Sequence, residues 1–233
     1  NNIWIMINTE MTDNEIIKEL GFIEDILVSR LEEYCEKFER QLKSVAYGHN
    51  AVLGMQEDVI KGNKVIICFQ KLVYTDQLYD LRVSKLVLTE DNYALLSVRD
   101  DSGDLFYIRF TYHASGRMGE RSGMMIKDFF VNEFVGKAGA SLFLIKYEEH
   151  GKTDFTYIMT IGKCFFIVCI DGNKIVVKTD LAWDMLHPNQ MALYVDSKRS
   201  AETFASNTYN KDATILNGIG LKNTSDAIRA MCA

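Results

Sequence analysis

Apolar residues recur at Ile16, Leu20, Ile23, Leu27, Leu31, Tyr34, Phe38, Leu42 and Val45, three or four positions apart, with Glu24, Asp25, Glu32, Glu33, Glu36, Lys37, Glu39 and Lys43 between them. That spacing returns once per helical turn, so it predicts an amphipathic helix with one apolar stripe. Thr12-x-x-Glu15 marks its start. The threonine hydroxyl accepts from the backbone N–H three residues on, and the glutamate reaches back to the cap. Continued to Ala46, the helix would be about 50 Å long, against a radius of gyration near ~17 Å for a chain of this size. It therefore projects or bends, and Gly21 is the expected break, because glycine costs about 1 kcal/mol in a helix interior.

From Ala51 onward the period falls to two. Strands are predicted near 64–74, 78–88, 93–99, 105–113, 141–149, 153–160, 163–170 and 174–179. Lys61-Gly62-Asn63-Lys64 and Asp171-Gly172-Asn173-Lys174 read as tight hairpins, since glycine and asparagine tolerate positive φ. The other connections within the two strand blocks are also short and rich in turn formers, which makes neighbouring strands antiparallel. One helix is predicted at 124–135, where Met125, Ile126, Phe129, Phe130 and Phe134 share a face. The expected fold is α+β: a long N-terminal amphipathic helix on one or two mainly antiparallel sheets of about eight strands, one crossover helix and a mixed C-terminal tail. The chain reads as a single compact unit with sub-blocks 1–50, 51–123, 124–179 and 180–233, the last carrying a helix capped at Thr224 or Ser225. The blocks share a Gly-Asn-Lys hairpin but otherwise align poorly, so they give little support for a duplication.

Composition narrows the class. Of 233 residues, 48% are hydrophobic and one is proline, which excludes a disordered chain and proline-rich recognition motifs. No apolar run approaches a membrane span, and the start of the chain lacks the basic region and cleavage site of a secretory signal. The net charge is −6. Residues 1–46 hold ten acids against five bases and so carry −5 of it, leaving the remainder almost neutral. Such a chain does not coat nucleic acid by bulk electrostatics. Cys35, Cys68, Cys164, Cys169 and Cys232 are odd in number, contain no Cys-x-x-Cys and lie mostly in apolar runs, which predicts buried free thiols and a cytoplasmic location.

Candidate chemistry centres on Tyr112-His-Ala-Ser-Gly-Arg-Met-Gly-Glu-Arg-Ser-Gly123, between a predicted strand and a predicted helix. A glycine-rich loop before a helix N-terminus offers free N–H groups, and Arg117 and Arg121 add two fork-shaped donors, a combination suited to phosphate or carboxylate. Gly116, Gly119, His113 and Ser115 complete this anion-binding candidate. The spacing matches neither a P-loop nor a dinucleotide fingerprint. The plainer reading is a flexible surface crossover between the two strand blocks whose arginines are solvated or paired with Glu120 and Asp128. His113 and Ser115 suggest a base and a nucleophile, but no orienting acid or oxyanion hole can be assigned to them. The four histidines and five cysteines show no zinc-ligand spacing, so neither a metal nor a cofactor is expected. Of the paired acids, Glu90-Asp91, Asp100-Asp101 and Glu148-Glu149 read as solvated turns, and Glu57-Asp58 precedes a hairpin strand without the Glu-x-Lys pattern of a metal-dependent nuclease.

Two functions fit these observations. The first is a non-catalytic intracellular interaction or assembly protein. It would contact itself or another protein through Leu27, Leu31, Tyr34, Phe38 and Leu42 of the N-terminal helix. The alternative is a small enzyme or binding domain for a phosphorylated or anionic ligand, acting through the 113–123 loop. Neither calls for a membrane or nucleic acid.

Overall fold

The computed structural model describes residues 6–8, 10–37, 50–73, 79–89, 93–99, 105–135, 142–147, 156–161, 164–188 and 191–192. The expected tail helix near 224, Phe38, Leu42 and Val45 lie outside them. By internal contacts the chain divides into two compact units, Asn1–Ser97 and Val98–Ala233. The fold is α+β, and nine strands are described. Among the described residues no helix is long and apolar enough to cross a membrane.

In the first unit α1 (Asp13–Ser29) starts at the expected capping box, with Thr12 N donating to Glu15 Oε2 at 2.8 Å. It runs through Gly21 unbroken, and the interruption comes at Arg30, before α2 (Leu31–Lys37). The reason is energetic. Ile16, Leu20, Ile23 and Leu27 are all buried, each contributing about 1.5–3 kcal/mol, more than the single glycine takes away. At Ser29 the hydroxyl instead donates to the Ile26 carbonyl at 2.7 Å, drawing on an acceptor of the helix's last turn.

Four strands follow as an antiparallel meander: β1 (Asn50–Ile60), β2 (Asn63–Val73), β3 (Tyr79–Leu88) and β4 (Ala94–Arg99). Register places Gln56, Asp58, Val65, Ile67, Phe69, Lys85 and Val87 on one face. The helices lie on that face. Tyr34 packs on Phe69 with ring centroids 4.1 Å apart and accepts a hydrogen bond from Gln56 Nε2. Arg30 pairs with Asp58 at 2.9 Å, and Lys85, only 6% exposed, meets Glu24 at 2.7 Å. The β1–β2 hairpin turns on Lys61 and Gly62, at φ 49° and 81°. Asn63, expected in the turn, is instead the first residue of β2. Its buried side chain accepts from Ile7 N at 2.8 Å and so ties down the N-terminal segment.

In the second unit the strand order is β5 (Leu105–Phe110), β9 (Lys174–Leu181), β8 (Cys164–Asp171), β7 (Thr156–Ile161) and β6 (Leu142–Tyr147). β6 to β9 form an antiparallel meander that returns the chain beside β5, where β9 pairs parallel to it. A parallel neighbour requires a crossover, and α3 (Tyr112–Ser122), α4 (Ile126–Asp128) and a π-helical stretch Phe129–Val135 provide it. The core holds Phe110, Phe129 and Phe166 in a triangle with centroids 5.3–5.5 Å apart. The helix expected over 124–135 is thus mostly π-helical. The wider turn changes which residues face inward, burying Glu133 and leaving Phe134 half-exposed.

Two glycines should respond in opposite directions. Gly21→Ala should raise stability by about 1 kcal/mol, because a Cβ there meets nothing within 4 Å. Gly62→Ala should lower it by at least as much, since φ is positive and the Cβ would come within 2.8 Å of Met6 Cγ. Chemical denaturation of both variants checks the pair.

Candidate functional site

The segment expected to be a glycine-rich anion loop is the helix α3, with Gly116, Arg117 and Gly119 inside it. Thr111 explains the helical start. Its hydroxyl accepts from Ala114 N at 3.1 Å and donates to the Val177 carbonyl of β9 at 3.3 Å, so the cap and the docking are one feature. Ala114 and Met118, four residues apart, are buried, and Gly123 closes the helix in the left-handed region at φ 66°. Gly116 and Gly119 make no close approach, since a Cβ on either meets nothing within 4 Å.

This geometry separates the residues grouped by sequence. His113 and Ser115 are two apart on a helix, which rotates them roughly 200° from each other. They do not form a base and nucleophile on a shared extended face. The exposed Arg117 pairs with Glu120 at 3.0 Å, as the plainer reading had it. Arg121 turns the other way, donating to the Asp180 carbonyl and to Thr179 Oγ1 on β9. Of the interaction candidates, Leu27 and Tyr34 are buried in the first unit and Leu31 is half-buried, while Phe38 and Leu42 lie outside the described residues.

What the sequence did not single out is a polar cluster in the second unit. Asp180 on β9 is 2% exposed, and its Oδ2 has no hydrogen-bond partner among the described residues. Cross-strand pairing of Asp180 with Phe166 puts it on the same sheet face as Cys164, two residues before Phe166 on β8. Glu133 is buried on the π-helical stretch, and Met124, just after α3, brings its Sδ to 4.0 Å from Cys164 Sγ. Burial pushes the Asp180 carboxyl above the usual carboxylate range, opposed by the Arg121 guanidinium and a hydrogen bond from Leu181. Burial, with Glu133 and Asp180 adding negative charge, pushes the Cys164 thiol up to about 12. Burial alone takes Cys68 to about 12. Both thiols are therefore poor nucleophiles at neutral pH. The only sequence-level hint of the cluster is Glu133, an acid among the five apolar residues of Phe129–Val135.

Cys68, Cys164 and Cys169 are free. Among the described residues no three His, Cys, Asp or Glu side chains converge as a metal site. Comparison of the chain with protein-family models, with curated proteins and with solved structures finds no match.

Because Gly116 and Gly119 lie inside α3 with open space around them, replacing both by alanine should stabilise the protein by roughly 1–2 kcal/mol. A rise in Tm reads this out, whereas an open loop would show no such gain. Asp180 predicts a pH effect. A carboxyl whose folded pKa is raised contributes stability that is complete below its unfolded pKa and is lost as pH rises through the folded value. Asp180→Asn removes that loss, so the stability of the variant relative to the parent should grow from pH 4 towards neutrality. A constant difference across that range would contradict it.

Proposed function

We propose that this chain is a non-catalytic interaction or assembly protein that associates with a second copy of itself along β1. The observation that carries the reading is a change of environment across one register step. Met55 and Val59 share a face of β1 and are 50% and 66% exposed, while Ile66 and Cys68, on the same face of β2, are fully buried. The cover over this face stops one strand short of the edge. β1 is eleven residues long and terminal in the meander, and no strand pairs with its outer side among the described residues. A long terminal strand with apolar side chains is a template for strand addition.

A two-fold pairing matches the apolar side chains and opposes one pair of like charges. In an antiparallel β1–β1 contact about Glu57, Met55 of each copy faces Val59 of the other. The two Glu57 carboxylates meet at the axis, each 3.4 Å from Lys64 of its own chain. The expected contact through the N-terminal helix is less well supported, because Leu27 and Tyr34 already pack against the chain's own sheet. The anion-binding alternative loses its pair of free donors, since Arg117 and Arg121 are engaged within the chain.

Light scattering over a range of concentrations tests this. The parent should approach twice the mass of one chain. Val59→Asp should weaken association at least about tenfold, a loss of about 1.4 kcal/mol, and Glu57→Gln should strengthen it by removing the like-charge contact. The mass of one chain at every concentration would overturn the reading, as would a dimer indifferent to both changes.

A further inference from the structure

We propose that Asp58 controls self-association along β1 by closing the outer edge of the strand in the free chain, a role that rests on β1 pairing with a second copy. The β1–β2 turn decides which main-chain groups face outwards. Lys61 and Gly62 both have positive φ, and Ile60 pairs with Asn63, so this is the two-residue hairpin whose flanking residues exchange both main-chain hydrogen bonds. Hydrogen-bonded and open pairs then alternate back along β1, in a register without shifts from Ile60 to Gly54. The N–H and C=O groups of Ile60, Asp58 and Gln56 therefore turn towards β2, and those of Val59, Glu57 and Met55 turn outwards.

The outward donor of Val59 is already taken. Asp58 Oδ1 accepts from Val59 N at 2.7 Å, while Asp58 Oδ2 is held by Arg30 Nη1 at 2.9 Å. Arg30 is the residue at which α1 stops, so the break between α1 and α2 brings a guanidinium to β1 and holds the carboxylate in its capping position. A pairing about Glu57 needs the same main-chain group. Val59 N–H of each copy would donate to the Met55 carbonyl of the other, and Met55 N–H would donate to the Val59 carbonyl. Asp58 must let go of Val59 before two strands join, once in each copy. Charged side chains commonly blunt an edge strand against uncontrolled pairing. Here the carboxylate does so by occupying one of the donors that the pairing would use.

The test compares the full chain with Asp58→Ala and Asp58→Asn, each checked for folding by thermal unfolding. Sedimentation velocity reads the association constant, and amide exchange at a concentration where single chains dominate reads the Val59 N–H. Asp58→Ala should tighten association at least about tenfold and speed exchange at Val59 by a similar factor. Asp58→Asn removes the same charge but keeps an oxygen acceptor, so its association should stay within about threefold of the parent. Equal tightening by the two variants would mean that net charge between the copies sets the strength, and would overturn the proposal. A dimer of unchanged strength in folded Asp58→Ala protein would overturn it too, while leaving self-association itself standing. A parent that stays single while Asp58→Ala pairs would overturn dimerisation of the parent and uphold the role of Asp58. Single chains in every case would overturn both.

Discussion

The first unit depends on covering one apolar helical stripe. Ile16, Leu20, Ile23 and Leu27 of α1 need a surface of matching shape, and the sheet face that carries Val65, Ile67 and Phe69 provides it. Everything else on that face accommodates the choice. Lys85 lies in the middle of the apolar layer, where Glu24 reaches it from the helix at 2.7 Å; removing the glutamate would take a charge partner from a buried ammonium. Asn63, Gln56 and Asp58 likewise meet a donor or acceptor from the N-terminal segment, α2 or Arg30. Lys61, at the tip of the hairpin, places its ammonium 4.0 Å from the centroid of the Phe22 ring, a side chain that stays 39% exposed.

The second unit solves a different problem. Its parallel β5–β9 pair is buried under α3 and the π-helical stretch, so polar groups that enter this layer lose water with few replacements available. Arg121 satisfies main-chain and hydroxyl oxygens of β9, and Asp180 keeps one oxygen without a partner among the described residues. The thiol beside it is held in its unreactive form by the same low dielectric.

Local signals made much of the fold legible. The capping box at Thr12 and Glu15, the three-to-four spacing of α1 and both hairpin turns follow from short-range physics that needs no tertiary context. Gly21 and the 112–123 segment misled for one reason: glycine's backbone cost is visible in sequence, but the burial that outweighs it is not. Leu20 and Ile23 hold α1 together across Gly21, and Ala114 with Met118 does the same for α3. The cluster around Asp180 was illegible because its members, Arg121, Met124, Glu133, Cys164 and Asp180, come from four separate elements and the link after α3. Only the pairing of β8 with β9 and the return of the chain beneath the crossover bring them together.

That return has a consequence for how the chain is made. Tyr107 pairs with Lys174, and Phe110 with Val177, so the β9 side of β5 finds its partner only after some 67 further residues have been added. At about 5–20 residues per second, the ribosome needs roughly 3–13 s to supply them. Throughout that interval a strand buried along nearly its whole length in the finished protein presents an apolar, hydrogen-bonding flank to the cell. The order of synthesis therefore leaves the β9 side of β5 waiting longer than a hairpin neighbour such as β2, which follows β1 after two residues.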